Sequence, residues 1–263
     1  TMASVKVAAL DFKPIIVYFV AVGVVFAATM LVYGFNTLAA TRALGHTFSN
    51  NVMIGIPLIG LVFGNEGLVV LLTLISVHAL VLLGSGTLIL ELAQAKQRNG
   101  AGRPQGLLRT VGQAAKNSVI HPVPLPIIAG LLFAQTGLVL PQVIDKPLQL
   151  LGSALGPMAL LLVGVTLAYS RIGSLIKPAL RIASVKILIH PLVFIAVAWG
   201  MDLSGVPMAA MALAATLPTG ANVLMFAQRY EVGEQEITAS IALGTMCCLL
   251  TVPGFLLLIN ALQ

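Results

Sequence analysis

Two stretches of this chain carry residues able to hold a solute at depth in an otherwise apolar environment. The first is Phe48 to Leu58, F-S-N-N-V-M-I-G-I-P-L, and the second is Thr216 to Phe226, T-L-P-T-G-A-N-V-L-M-F. Ser49, Asn50 and Asn51 place a hydroxyl and two amides in consecutive positions. Thr219, Gly220 and Asn222 repeat the recipe after Pro218. An amide donates and accepts, so it can meet a carboxylate without bringing a full cation into hydrocarbon. Gly55, Pro57 and Pro218 give the reason for a helix to stop. Proline lacks an N–H and clashes with the carbonyl four residues back, and glycine costs a helix about 1 kcal/mol relative to alanine. Freed backbone groups survive at membrane depth only when protein or a wet cavity satisfies them. The expectation is a break at Gly55–Pro57, another at Pro218, and a binding site beside the pair. Each break leaves a half-helix N-terminus with unpaired N–H groups and about half a positive charge, the ordinary seat of a carboxylate or phosphate. The plainer readings stand beside this one. Asparagines in membranes also tie helices together, for about 0.6 kcal/mol on average, and prolines also make tolerated kinks.

The elements that must position these residues follow from composition. Of 263 residues, 59% are hydrophobic and 8% charged, against roughly 25% charged in a soluble domain. The chain is an all-α polytopic membrane protein by this reading. Eight apolar segments run roughly over 14–35, 41–63, 67–93, 119–136, 148–169, 178–200, 206–229 and 236–261, each near the 20 residues a spanning helix needs. Continuous apolar runs exclude a β-barrel, whose strands alternate. The formal charge of +6 does not point to nucleic acid, because the basic residues fall in short loops. Numbering sides alternately, Lys6, Lys13 and Lys146 lie on one side. Arg42, Lys96, Arg98, Arg103, Arg109, Lys116, Arg171, Lys177, Arg181 and Arg229 lie on the other, which makes that second side cytoplasmic. Residues 94–118 read as a cytoplasmic linker, with Pro178 placed to start a later helix. Three segments precede the linker and five follow, and in each half the broken segment is the one before last. Repeats of five helices account for this if the first two are absent; an odd number per repeat makes the repeats inverted. The chain then holds eight helices of a ten-helix 5+5 fold with two broken crossover helices. An eight-helix protein without a repeat is the alternative.

Other reactive side chains argue against different chemistry. Cys247 and Cys248 are adjacent in an apolar run and show neither disulfide nor metal spacing. No metal, no cofactor and no catalytic set at useful spacing is expected, so an intramembrane enzyme is the weaker class. His190 is the candidate for a proton-linked role, since histidine titrates near pH 6.5; a neutral histidine bonded to a carbonyl is the bland reading. Lys186 is expected to snorkel to the inner surface, and His46, His78 and His121 to be structural. Carboxylate-driven antiporters place acids at membrane depth, and no Asp or Glu stands near the middle of a segment. A carrier driven by membrane potential is the simpler expectation.

The motifs resemble those of the auxin efflux carrier family. S-N-N-V-M-I-G-I-P-L-I-G followed by F-G-N-E-G is similar to the first broken-helix motif. L-P-T-G-A-N-V-L-M-F-A-Q-R-Y is similar to the second, in the form of the bacterial branch that resembles malonate transporters. N-S-V-I-H-P-V-P-L-P-I-I-A-G-L-L, L-G-S-A-L-G-P-M-A-L-L-L-V-G-V-T-L-A and V-K-I-L-I-H-P-L resemble helices between them. The resemblance covers the chain from about Pro14. It implies a scaffold of the first two helices of each repeat and a transport domain of the last three. On that division 1–93 and 171–263 are transport-domain parts, 94–118 the linker and 119–170 two scaffold helices. The resemblance also implies that the broken helices cross close together and that Asn50 contacts substrate. Ser49, Thr219 and Gly220 are candidates to line the crossing, and Gly55, Pro57 and Pro218 to break it. Asn51 and Asn222 are further substrate-binding candidates, although Asn51 should point elsewhere on a helix and the plant members carry a different residue in place of Asn222. The function so implied is a secondary transporter of small organic anions, carboxylates such as malonate-like or auxin-like acids, working by elevator-like alternating access. A channel or sensor on the same scaffold is the alternative. The partners are an organic anion, the lipid bilayer and a second copy docked through the scaffold helices. The location is a bacterial inner membrane.

Overall fold

The computed structural model describes residues 12–99, 129, 132–133, 136–169 and 172–262. Most of the expected linker and of segment 119–136, with His121, lies outside the described residues. Nine helices are described: α1 (Lys13–Tyr33), α2 (Thr37–Thr47), α3 (Ile56–Asn99), α4 (Gln142–Tyr169), α5 (Ile172–Ser184), α6 (His190–Gly200), α7 (Gly205–Thr216), α8 (Asn222–Arg229) and α9 (Glu234–Leu262). Two five-residue π-helical turns join them, Asn51–Gly55 ahead of α3 and Val185–Ile189 between α5 and α6.

Length dictates how α3 must run. Its 44 residues would reach about 66 Å if straight, twice the hydrocarbon thickness. The chain reverses at Gly64, whose φ of 60° and ψ of −148° fall where glycine alone is at ease. The Cα of Gly60 then faces Leu68, with room for a Cβ only 3.3 Å from that side chain. The turn at Gly64 is therefore tight, and α3 runs in two directions.

Both π turns stand two residues ahead of a proline, Pro57 and Pro191. In each the turn is closed by an i→i+5 bond, from the Ile56 amide to the Asn51 carbonyl and from the His190 amide to the Val185 carbonyl. The wider turn admits one extra residue, so a proline with no N–H to give enters a helix that continues. This corrects the expectation for Gly55 and Pro57. Neither is the break: Gly55 closes the π turn and Pro57 sits in the first turn of α3. The chain leaves helical geometry earlier, at Phe48–Asn50. Pro178 likewise lies inside α5 rather than at its start.

The bundle is built around α7, in which every residue from Met208 to Thr216 is buried. Five of those are alanines that let neighbours approach closely, as small residues do between membrane helices. α3, α6 and α9 pack on α7; α1 lies along α2 and α6, and α9 along α5. The outside is apolar, with Leu61 and Leu250 more than four-fifths exposed, while Asn51, His78, Lys186 and His190 are inside. A helical bundle with this inverted pattern has lipid for its solvent: the chain is an integral membrane protein.

End contacts follow the alternation of charge. At one end Lys13 donates to the Asp202 carbonyl at 2.9 Å. At the other, Arg42 forks onto Glu236, Nε to Oε2 and Nη2 to Oε1, both 2.8 Å. Nearby, Arg181 reaches the Tyr33 hydroxyl, and Tyr230 donates to Glu91 at 3.3 Å. Burial, with Glu91 beside it, pushes the Tyr230 hydroxyl up to about 12, so it remains a neutral donor. Glu91 is thus an end residue. The Arg42–Glu236 pair ties α2 to α9 and is largely buried. Arg42→Ala is expected to cost about 2 kcal/mol, because it strands a half-desolvated carboxylate. Arg42→Lys should recover little, since an ammonium cannot reproduce the fork. The midpoint of thermal unfolding in detergent measures both.

Candidate functional site

The two breaks meet. Ser49 and Thr219 pair as an isolated antiparallel β-bridge, closed by the Asn50 amide donating to the Pro218 carbonyl at 3.0 Å and the Gly220 amide donating to the Phe48 carbonyl at 2.9 Å. The first break therefore has a tertiary cause. Residues 48–50 leave the helix because their backbone groups are satisfied by residues 218–220, not because a local residue forbids helix. Thr219 adds a bond from its hydroxyl to the Gly45 carbonyl at 2.8 Å, and Tyr18 and Ser49 share a hydrogen bond at 2.8 Å. Close approach at this point requires Gly220, where a Cβ would stand 2.9 Å from the Phe48 ring and 3.3 Å from the Ser49 carbonyl oxygen. Gly55 is a second close approach, with Leu217 of the other break 3.1 Å from where its Cβ would be.

A cavity of about 520 Å³ opens beside the bridge. Ser49, Asn50, Asn51, Gly220 and Asn222 all line it, so the structure brings together five of the residues expected from sequence. Thr219, Gly55, Pro57, Pro218 and His190 do not line it: they form the frame behind. The remaining wall is apolar apart from Gln228 and His78, and Met158 and Leu161 of α4 close one side. Neither helix that starts at the breaks is capped by a side chain, at Asn50 or at Ala221. First-turn amides have no acceptor inside their own helix, and here they belong to Val52, Met53, Ala221 and Asn222, all on the cavity wall. Two partial positive charges thus converge on one apolar space.

Polar side chains in the wall are left unsatisfied. Asn51 is 2% exposed, beside the Tyr18 hydroxyl, yet neither its amide nitrogen nor its oxygen has a partner in hydrogen-bond geometry. His78, 3% exposed, has a free Nε2, and its ring packs edge-on against Phe48 at 4.6 Å and Tyr18 at 5.8 Å. An amide and an imidazole without partners in a buried wall cost stability, a cost that a polar solute would remove. His78 was expected to be structural; its place on the wall depends on which face of α3 meets the crossing, and that is not visible in spacing alone.

Behind the second break the structure departs from expectation again. Lys186 does not snorkel. It is fully buried, and its Nζ donates to the Ala215 carbonyl at 2.7 Å and lies 3.3 Å from His190 Nδ1. The reason is the π turn, which rotates Lys186 inward toward the open C-terminal end of α7, where carbonyls lack amide partners. His190 is bonded through that lysine, with its Nε2 unpartnered, and its ring meets Tyr18 edge-on at 5.5 Å. Cys248 donates weakly to the Thr216 carbonyl at 3.5 Å, which makes it a packing residue at the break.

Comparison with known proteins agrees with this architecture. Residues 6–256 match a family described as "Membrane transport protein". Over 148 residues the chain is 30% identical to a protein of Rhizobium meliloti (strain 1021) named "Putative malonate transporter". The matched stretch is 56% of this chain and 46% of that protein, so the chain spans about half the length of the curated relative it matches.

Proposed function

Because the chain belongs to the membrane transport protein family, the one its broken-helix motifs resemble, we propose that it works as a secondary carrier of small organic anions. Dicarboxylates of malonate size are the favoured substrates. The observation that supports this most is the convergence of two uncapped helix starts and an unpartnered asparagine on one cavity of about 520 Å³. Helix N-termini attract a carboxylate, an asparagine amide donates to it, and the low dielectric strengthens both. The space suits a small ligand, being within the usual range of about 300–1,000 Å³. Malonate enters as the probe from the name of the similar protein.

The proposed cycle is alternating access, with the riveted breaks and their helices forming the moving part and α4 belonging to the scaffold. Inverted repeats of five helices, a cytoplasmic end at Arg42 and Arg181, and a bacterial inner membrane complete the proposal. The test reconstitutes the whole protein in liposomes and follows labelled malonate. Saturable uptake or counterflow, lost in Asn50→Ala while insertion is unchanged, is the expected result. Currents far beyond carrier turnover would favour a channel, and binding without flux a sensor.

A further inference from the structure

Lys186 is a buried base that the carrier reading leaves without a task. It stands inside the bundle with no exposed surface, and no carboxylate faces it among the described residues. An ionisable side chain at membrane depth is expensive and is seldom kept without a use. The bond to the Ala215 carbonyl needs a donor, but a neutral amine supplies one as an ammonium does, so structure alone does not require a charge here.

We propose that Lys186 is the resident cation of the anion site, sharing a proton with His190, so that each anion is loaded together with one proton. This rests on the carrier reading above and deepens it. Three observations carry the proposal. First, the two partners of Nζ are an acceptor, the Ala215 carbonyl, and an imidazole nitrogen, His190 Nδ1. An imidazole nitrogen can face either an ammonium as acceptor or a neutral amine as donor, so the pair is chemically competent in both protonation states. Second, the pair connects to the cavity. His190 abuts Tyr18, Tyr18 is hydrogen-bonded to Ser49, and Ser49 is on the cavity wall. Ala215 itself lies five residues before Gly220, which is on the cavity wall. Third, the charge has no built-in neutraliser. The titratable groups facing Lys186 from the packed elements are His190 of α6, His78 of α3 and Cys248 of α9; His46 of α2 and Tyr18 of α1 stand beyond His190, and α7 brings the Ala215 carbonyl. An anion in the cavity is then the counter-ion that the ammonium lacks, and by linkage each form stabilises the other. The balance is simple. One proton taken from water converts the amine to ammonium as one anion enters, so the loaded site gains one negative charge fewer than the solute brings. A proton-linked carrier of this kind is the alternative to one driven by potential alone.

Proton exchange on binding is the readout, because a purely structural lysine would not move it. Malonate is added to the purified whole protein in weak buffer with a pH indicator, and affinity is measured by calorimetry in buffers of different ionisation enthalpy. Wild type is expected to take up about one proton per malonate bound somewhere between about pH 6 and 9. Lys186→Met should abolish the uptake and weaken binding at least about tenfold. Lys186→Arg, permanently charged, should keep affinity within a few-fold while losing the proton uptake. Proton uptake that persists in Lys186→Met, or unchanged affinity there, overturns the proposal and leaves the carrier reading standing. If Lys186→Met fails to fold, Lys186→Arg decides alone: retained uptake overturns it. A wild-type protein that binds neither malonate nor any other dicarboxylate overturns both readings together.

Discussion

Replacing Asn51 with leucine is expected to weaken malonate binding by ten- to a hundredfold, about 1.4–2.7 kcal/mol, while the protein becomes no less stable. The two effects have opposite signs for one reason. A buried amide without partners costs about 1–3 kcal/mol, and Asn51 is 2% exposed with both amide atoms unpartnered. Leucine removes that cost from the empty protein and removes the donor from the loaded one. Isothermal titration for affinity and a detergent melt for stability separate the terms. A fall in the melting midpoint comparable to that of a core truncation would mean that Asn51 is a structural tie, and unchanged affinity would take it out of the site. Asn51→Asp sharpens the test by placing a like charge against the anion; binding should then fall further than in the leucine variant.

Gly220→Val should abolish transport. The room is set by backbone as well as by a ring, with the Ser49 carbonyl oxygen 3.3 Å and the Phe48 ring 2.9 Å from the added Cβ. A ring can turn aside, but the carbonyl belongs to the bridge itself, so accommodating valine means breaking the 2.9 Å bond to Phe48 and the 3.0 Å bond to Pro218. In a dry interior each lost backbone bond leaves an unsatisfied group at a cost of several kcal/mol. Flux in liposomes is expected to drop more than about a hundredfold, with a lower melting midpoint. Gly254→Val is the control, since a Cβ there meets nothing within 4 Å and transport should be unchanged. Wild-type flux in Gly220→Val would show that the two breaks need not touch for the protein to work.

Both effects depend on features that were unequally legible in the sequence. The apolar runs predict an all-helical chain with long apolar helices among the described residues, because apolar runs are local signals; the count of eight passes goes beyond what those helices show. Five residues of the cavity wall, Ser49, Asn50, Asn51, Gly220 and Asn222, stand out in the sequence because polar and small residues interrupt apolar runs; the apolar remainder of the wall does not. The position of the first break was not legible. Pro57 attracts the reading, but the helix absorbs it through the Asn51–Gly55 π turn and breaks at Phe48–Asn50 instead, where the cause is an isolated bridge to Thr219, some 170 residues away. Lys186 was misplaced for a related reason. Snorkelling is judged from the distance to a segment end, whereas the carbonyl that holds its Nζ sits 29 residues on in another helix. His78 shows the third limit: spacing gives a helix face, and tertiary packing decides what that face looks at.

The bridge between Ser49 and Thr219 has a mechanical corollary. Two main-chain bonds and the Thr219–Gly45 bond make one solid block of the half-helices that cradle the solute. A block of that kind has no jaws. On the proposed carrier reading, the doorway lies on the flank lined by Met158 and Leu161, and passage is governed by how α4 slides past an unyielding seat rather than by any yawning of the seat itself.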